Sequence, residues 1–241
     1  MTTADDPKQQ VREHIWTLLE QHHVVEPGVH GHIPAFTGAD TAAQLLTNLP
    51  AWQSAHTIKT NPDRAQLPAR ALALAAGKTV FMAVPNLANA QPFYLLDPAH
   101  LPGPPDQVAS HQAVATFAPT VAIDDMPAID LVICGSVAVN TQGARIGKGA
   151  GYSDIELALL IEAGLITADT TIVTTVHELQ VVDGPLPETG HDFRLDAIVT
   201  PERIIPCEEA RRPAGVLWNH LDEKKIAAIP ALAARQRNLD E

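Results

Sequence analysis

Short apolar runs that alternate with helical segments constrain the fold of this chain more than any other feature of its sequence. The runs predict strands at residues 56–59, 78–84, 116–118, 121–123, 129–134, 171–175 and 197–200. The clearest is 129–134, an apolar run that stops at Gly135. Short apolar runs that alternate with helices are typical of parallel strands covered on both faces. The sequence therefore predicts an α/β fold around a mostly parallel sheet.

Helices are predicted where apolar residues recur every three or four positions. The first runs from Asp6 to about His23, because Asp6 can cap it and Pro7 suits the first helical position. Further helices are predicted at residues 41–48, 67–76 and about 153–163. Residues 97–106, with four prolines, are predicted to be a loop, and the charged chain from about residue 207 a helical C-terminal tail.

The size and composition of the chain predict one globular domain over residues 1–241. Apolar residues make up 46% of the chain, which is enough to offset the entropy lost on ordering it. The net charge of −12 argues against a generic polyanion as partner, so no binding of nucleic acid is expected. Because only 16 residues are Lys or Arg, the positions of these residues carry information.

The sequence gives no reason to expect a disulfide framework or a membrane segment. Its two cysteines are Cys134 and Cys207, and Cys134 is interpreted as a buried small hydrophobe, not a nucleophile. Residues 1–6 do not contain the basic segment followed by an apolar run that is typical of a targeting segment. No apolar run approaches the ~18 residues of a membrane span. We therefore expect a cytoplasmic protein without a membrane partner, and the sequence leaves the oligomeric state open.

A glycine-rich stretch at residues 143–151 is the most informative segment. Four of the 14 glycines lie within these nine residues, together with Arg145 and Lys148. Glycines let backbone N–H groups approach an anion, and the helix that follows presents its positive end to the same place. The spacing is that of neither a Walker A loop nor a Rossmann fingerprint. We interpret the stretch as a phosphate cradle; the alternative is a flexible loop with two exposed cations.

A second basic pair is a candidate for the same site. Lys8 and Arg12 are four residues apart and share one face of the first helix, where like charges repel. A bound anion would offset that repulsion. The alternative is a solvated helix face with Glu13 nearby.

Two carboxylates are candidates for holding Mg²⁺, which prefers oxygen ligands. Asp192 precedes the predicted strand at 197–200, and Asp154 lies at the start of the helix after the glycine stretch. The alternatives are an ordinary turn at Asp192 and simple capping of the helix by Asp154. We interpret the histidine pairs at residues 22–23 and 30–32 as non-ligands, because no cysteine or HExxH spacing accompanies them.

These motifs resemble the 5-formyltetrahydrofolate cyclo-ligase (methenyltetrahydrofolate synthetase) family. The resemblance rests on Asp-Leu-Val-Ile-Cys-Gly at 130–135, Arg-Ile-Gly-Lys-Gly-Ala-Gly-Tyr-Ser-Asp at 145–154 and His-Asp-Phe-Arg-Leu-Asp-Ala-Ile-Val-Thr-Pro at 191–201. The Lys8-x-x-x-Arg12 helix agrees with it. Val-His-Gly-His-Ile-Pro at 29–34 and the Ile-Gly-Lys-Gly form of the loop are similar to the methenyltetrahydrofolate synthetase domain-containing branch.

The resemblance implies a three-layer, doubly wound α/β fold of the NagB/RpiA/CoA-transferase-like type. It also implies a reaction that uses ATP and Mg²⁺: the formyl oxygen of 5-formyltetrahydrofolate attacks the γ-phosphate, and ring closure gives 5,10-methenyltetrahydrofolate, ADP and phosphate. The residues implied to bind ATP are Lys8, Arg12, Arg145, Ile146, Gly147, Lys148, Gly149, Ala150, Gly151, Tyr152 and Ser153. Arg145, Lys148 and Tyr152 would take part in catalysis, and Asp154 and Asp192 would hold Mg²⁺.

The sequence departs from the family pattern at three places. The usual Pro-Gly-x-Ala-Phe-Asp is replaced by Gly-Ser-Val-Ala-Val-Asn at 135–140, and the usual Tyr-Tyr-Asp by Tyr-Ser-Asp at 152–154. At the position of a folate-contacting carboxylate the chain has Ala65, with Asp63 as a possible substitute. The sequence therefore predicts a retained phosphate end and an altered folate end.

Two hypotheses for function follow. The first is an ATP-dependent cyclo-ligase acting on 5-formyltetrahydrofolate or a related N-formyl or pterin-like compound. The second is a nucleotide- or phosphate-binding protein of the same fold without this activity, in a regulatory or partner-binding role. RNA binding has little support, because no RNP-like aromatic strand is present in the sequence.

Overall fold

A central sheet of eight strands organises the computed structural model, which describes residues 6–208 and 211–240. The strand order is β10-β9-β8-β5-β1-β2-β3-β4, and β6 and β7 form a separate antiparallel pair. Residues 1–5, part of the segment searched for a targeting signal, lie outside the described residues, as do 209–210 and 241 of the predicted tail. The strands are β1 (Thr57–Thr60), β2 (Thr79–Ala83), β3 (Phe93–Leu96), β4 (Thr120–Val121), β5 (Leu131–Cys134), β6 (Ala138–Val139), β7 (Arg145–Ile146), β8 (Thr171–Thr175), β9 (Ala197–Val199) and β10 (Ile204–Pro206).

The five central strands, from β2 through β1, β5 and β8 to β9, are parallel to one another. The outer strands β3, β4 and β10 pair antiparallel. All four residues of β5 are buried, as expected for a strand covered on both faces. The prediction of a mostly parallel sheet is confirmed.

Helices cover both faces of the sheet. In the described residues they are α1 (Pro7–Gln21), α2 (Ala39–Leu46), α3 (Pro50–Ser54), α4 (Leu67–Ala75), α5 (Pro105–Val108), α6 (His111–Phe117), α7 (Tyr152–Glu162), α8 (Glu223–Ala228) and α9 (Pro230–Asp240). Asp6 caps α1 and Pro7 opens it, as predicted. Over residues 6–208 and 211–240, no helix is both long enough and apolar enough to cross a bilayer.

Alternation along the strands creates two separate apolar layers. Val132 and Cys134 pack with α7 and the C-terminal helices, whereas Leu131 and Ile133 pack with α2, α4 and α6 on the other face. Successive side chains of a strand point to opposite faces, so one buried strand supplies both layers. The three-layer, doubly wound α/β architecture is therefore confirmed. A third apolar cluster packs α1 against β6 and β7.

Several local predictions are wrong. Residues 116–118 end helix α6 instead of forming a strand, because Ser110 accepts a hydrogen bond from the Ala113 N–H and starts a helix there. The strand predicted at 121–123 ends at Val121, and the loop predicted at 97–106 contains a 3-10 turn and the start of α5. The tail becomes α-helical only at Glu223.

Arg70 on α4 fixes the loop that follows β1. The residue is 1% exposed, and its guanidinium donates to the carbonyl oxygens of Asn61 at 2.6 Å, Asp63 at 3.2 Å and Ala109 at 3.0 Å. Burial lowers the pKa of Arg70 to about 10, although Asp63 acts in the opposite direction. The backbone of residues 61–63 is therefore held by one buried cation.

The Arg70→Leu variant tests this support. Removing the guanidinium leaves three carbonyl groups without their charged donor, and we expect the free energy of unfolding to fall by about 3 kcal/mol. Chemical denaturation measures the change. Arg64→Leu makes the same substitution at an exposed position on the adjacent 3-10 turn and should change stability by less than about 0.5 kcal/mol. Equal losses in the two variants would contradict the role of Arg70.

Candidate functional site

A cavity of about 490 Å³ lies at the carboxyl ends of the central strands. Its walls include residues 61–63 after β1, residues 84–86 after β2 and the loop from Arg145 to Asp154. The neighbours of β1 are β2 on one side and β5 on the other, so the chain changes direction across the sheet at this point. Such switch points at the carboxyl ends of strands are where open α/β sheets bind ligands.

The residues that the sequence singled out come together in this cavity. Lys8 and Arg12 reach it from α1, although they are more than 130 residues away from the glycine stretch and about 180 from Asp192 in sequence. The cavity is lined by Lys8, Arg12, Arg145, Ile146, Gly147, Lys148, Gly149, Ala150, Gly151, Tyr152, Ser153, Asp154 and Asp192. Their convergence is the geometric requirement of a shared anion site.

The glycine stretch brings its backbone close to the cavity, beside the Arg145 and Lys148 side chains. Gly149 has φ of +103°, and a Cβ atom there would lie 3.3 Å from the guanidinium carbon of Arg12. Gly151, at φ +72°, begins α7 without a side-chain cap. The first N–H groups of a helix lack intrahelical partners and carry a partial positive charge. The loop and helix start therefore form a cradle that fits an anion.

Each of the four cations in the cavity contacts a carboxylate. The pairs are Lys8–Asp192, Arg12–Asp6, Arg145–Asp154 and Lys148–Asp63, with nearest N–O distances of 2.5, 3.6, 2.9 and 3.2 Å. The repulsion expected between Lys8 and Arg12 is thus offset by protein carboxylates. A bound anion would have to exchange partners with these carboxylates.

Asp192 is held most tightly of the acidic residues around the cradle. Both of its oxygens accept from Lys8 Nζ, and Oδ2 also accepts from the Thr189 backbone N–H and hydroxyl. Burial opposes its ionisation, but these hydrogen bonds outweigh burial and hold the pKa of Asp192 below its ordinary value. Asp192 is therefore ionised at neutral pH.

Asp154 and Asp192 offer oxygen donors that suit Mg²⁺. Across the described residues no three His, Cys, Asp or Glu side chains are grouped as in a preformed metal site. Mg²⁺ usually binds through one or two carboxylates, waters and substrate phosphates. The two carboxylates beside an anion cradle fit a metal that arrives with its phosphate ligand.

Arg145 is a rigid part of the cavity wall. Its side chain is 3% exposed, donates to the Gly135 carbonyl at 2.9 Å and to Asp154 at 2.9 Å, and lies 4.4 Å above the ring of Phe193. Burial opposes its charge, but Asp154 outweighs this and raises the pKa of Arg145. The guanidinium remains charged and orients Asp154.

A buried polar network that sequence reasoning missed lies beside the cavity. Lys59 on β1 forms an ion pair with Glu156 on α7, and both side chains are at most 5% exposed. Lys59 also donates to Asn61, and Asn61 donates to the Ser153 hydroxyl at 2.6 Å. The signal was present in the sequence: a lysine within a buried strand and a glutamate within an apolar helix both require partners.

The positions that depart from the family pattern have structural contacts of their own. Asn140 is 2% exposed and ties its hairpin together, donating to the Gly184 carbonyl and accepting from the Ala144 N–H. Ala65 is buried, whereas Asp63 lines the cavity. Cys134 is a buried free thiol whose pKa is raised by burial, as its interpretation as a small hydrophobe requires.

Comparisons with known proteins place these features in a family context. The 5-formyltetrahydrofolate cyclo-ligase family model matches residues 4–201. The methenyltetrahydrofolate synthase domain-containing proteins of Mus musculus and Homo sapiens are 40% and 35% identical to the chain, over 97% and 93% of its length. The chain spans only 63% and 60% of those two relatives.

A solved structure has a similar fold. The NMR structure of Aquifex aeolicus 5,10-methenyltetrahydrofolate synthetase matches with a TM-score of 0.54 and 15% sequence identity. The match covers 86% of this chain and 95% of that protein. At this identity the likeness establishes the fold alone.

Two variants of the Lys59–Glu156 pair should differ in stability. One removes a single partner, and the other replaces both partners with apolar residues. Glu156→Gln leaves the Lys59 charge buried without its counter-ion, and we expect the free energy of unfolding to fall by about 3–5 kcal/mol. The double variant Lys59→Met/Glu156→Leu should recover most of that loss, because apolar side chains of similar volume tolerate burial. Denaturant unfolding measures both.

The matched control is the exposed Arg203–Glu178 pair. Arg203→Gln breaks an ion pair at the surface and should change stability by less than about 1 kcal/mol. A double variant that is no more stable than Glu156→Gln would show that the network, not the buried charge, determines the loss.

Proposed function

This chain belongs to the 5-formyltetrahydrofolate cyclo-ligase family, and from that premise we propose that it is an ATP- and Mg²⁺-dependent ligase acting on a folate. Its substrate is 5-formyltetrahydrofolate or a related N-formyl or pterin-like compound. The proposed products are 5,10-methenyltetrahydrofolate, ADP and phosphate. The observation that carries the proposal is the convergence of Lys8, Arg12, Arg145, Lys148 and two carboxylates on one glycine cradle.

The cradle supplies what a phosphoryl transfer needs from a protein. Such reactions depend on positioning and on neutralisation of charge more than on covalent chemistry by side chains. We assign the phosphates of ATP to the backbone of residues 147–151 and to Lys8, Arg12 and Lys148. Lys148 is 40% exposed and held by a single acidic partner at 3.2 Å, so it is free to exchange Asp63 for a phosphate oxygen.

Asp154 and Asp192, which line the same cavity, are the proposed ligands of Mg²⁺. Asp154 and Asp192 now neutralise Arg145 and Lys8. When bound, Mg²⁺ would neutralise phosphate charge. Arg145 keeps Asp154 in place throughout, because its own position is fixed by Gly135 and Phe193. We therefore assign Arg145 a positioning role, with Lys148 and Tyr152 nearest the reacting groups.

In the proposed reaction the formyl oxygen attacks the γ-phosphorus and ADP leaves. The second folate nitrogen then attacks the activated carbon, and the oxygen departs as phosphate. The protein aligns the two substrates and excludes water, for which the walls formed by residues 61–63 and 84–86 are suited. Asp63 on the first wall is the proposed contact for the polar edge of the folate.

A second candidate function rests on the altered folate end. Ala65 replaces a family carboxylate, and Asn140 is committed to hairpin contacts. A protein that retains the cradle without these groups would bind nucleotide and act as a regulatory or partner-binding module. It predicts stabilisation by nucleotide and no stabilisation by folates.

Turnover of 5-formyltetrahydrofolate distinguishes the two functions. Purified protein with Mg-ATP and this substrate should show a growing absorbance of the methenyl product, and removal of Mg²⁺ by a chelator should stop it. Binding of ATP without turnover across a panel of folates and formylated compounds would contradict the ligase proposal and favour the second function. A rise in melting temperature with folate would contradict the second function.

The Lys148→Met variant tests the cradle. Loss of one charge-assisted contact to phosphate should raise KM for ATP about 10- to 100-fold, corresponding to roughly 1.5–3 kcal/mol. The stability of the variant should be unchanged, because the Lys148–Asp63 pair is partly exposed. Initial rates at varied ATP give KM.

Lys224→Met is the matched control, since Lys224 is exposed on α8. It should leave KM for ATP as in the unmodified protein. If both variants raise KM equally, the effect comes from net charge and the assignment of Lys148 is wrong.

A further inference from the structure

The segment that follows the family match runs along α7 and is anchored at both ends. The match ends at residue 201, and residues 215–225 lie beside α7. At one end the Val216 N–H donates to Glu162 Oε1 at 2.9 Å. At the other, Lys225 Nζ lies 3.5 Å from the ring centre of Tyr152 and donates to the Ala150 carbonyl at 2.8 Å. The C-terminal chain is therefore fastened onto the cradle loop itself.

Between this segment and α7 lies a second cavity of about 210 Å³, here called the side cavity. Its walls are mainly apolar, formed by Ile155, Ala158, Val216, Leu217 and Leu221. It shares Gly151, Asp154 and His191 with the main cavity, so the two cavities adjoin at the start of α7. Its volume is below the ~300–1,000 Å³ typical of a whole ligand, which suits one part of a ligand whose remainder lies in the main cavity.

Two imidazoles border the side cavity. The rings of His191 and His220 meet edge to face, with centroids 5.7 Å apart and an interplanar angle of 84°. Asp222 and Lys225 add one polar group of each sign to the rim. Apolar walls with ring edges and a few polar groups suit a planar heteroaromatic ring, which buries its faces and keeps polar atoms on its edge.

We propose that the side cavity binds the base of the nucleotide whose phosphates occupy the cradle. The inference rests on the proposed function, and it adds the subsite that distinguishes a nucleoside triphosphate from a bare polyphosphate. The base is favoured over the folate ring because Asp63, the proposed folate contact, lines the main cavity and not the side cavity. The side cavity instead adjoins Gly151 at the start of α7, next to the phosphate cradle.

The C-terminal segment accordingly acts as a specificity element. Gly215 allows its close approach to α7: the residue has φ of +146°, and a Cβ atom there would lie 2.6 Å from Glu162 Cγ. Val216 and Leu217 follow directly and supply two of the apolar contacts. A binding surface for the base is thus built from residues beyond the segment that the family model matches.

Calorimetric titration of the full chain with ATP and with tripolyphosphate, each with Mg²⁺, tests the proposal. The unmodified protein should bind ATP about tenfold or more tightly than tripolyphosphate, because tripolyphosphate has no base to bury. Ala158→Leu fills the side cavity and should reduce ATP affinity towards that of tripolyphosphate while leaving tripolyphosphate affinity unchanged. Leu217→Ser, at a partly exposed position, should act in the same direction.

Ala163→Leu makes the same change as Ala158→Leu just beyond the end of α7, outside the side cavity, and should leave both affinities unaltered. Equal affinity of the unmodified protein for ATP and tripolyphosphate would overturn the base subsite and leave the cradle standing. Unchanged ATP affinity in Ala158→Leu and Leu217→Ser, or a raised KM for the folate alone, would also overturn it. Failure to bind either ligand would overturn the proposed function and this inference with it.

Discussion

Four cationic side chains meet at one glycine loop of an acidic protein, and each is paired with a carboxylate. Unpaired, so many like charges in a partly buried space would repel one another and resist desolvation. The carboxylates reduce the repulsion among the cations in the ligand-free cavity, and they hold Lys8 and Lys148 close to the cradle. The clustering of four cations allows a chain with net charge −12 to offer a candidate site for a small anion. The attraction for an anion would come from the local placement of these cations and not from the average charge of the protein.

Beneath this arrangement, a second set of charges connects the sheet to the loop. The ion pair between Lys59 and Glu156 joins β1 to α7, and Asn61 extends the network to Ser153 at the start of the same helix. Arg70 fixes the backbone of residues 61–63 from the other side. The beginning of α7 is thereby held against the carboxyl end of β1. Rigid support of this kind is what positioning catalysis requires, because small displacements of a reacting group cost rate.

The two cavities are formed by different parts of the chain. The main cavity is formed by residues within the family match, whereas the side cavity depends on residues 215–225. Lys225 and Gly215 join the second part to the first through contacts with the cradle loop and α7.

The sequence by itself determined the parallel α/β sheet. A buried strand that ends at a glycine is a local pattern of the sequence, as at residues 129–135. It also identified the glycine cradle, whose backbone freedom is a local property, and grouped Lys8 and Arg12 by helical spacing. It did not identify helix α6, where a capping serine overrode a short apolar run, or the pairing of Lys59 with Glu156. Which carboxylate faces which cation, and where the C-terminal chain closes a cavity, were decided by the tertiary structure alone. The Lys59–Glu156 and Lys8–Asp192 pairs join residues 97 and 184 positions apart, and their energies depend on burial and distance, which no local pattern encodes.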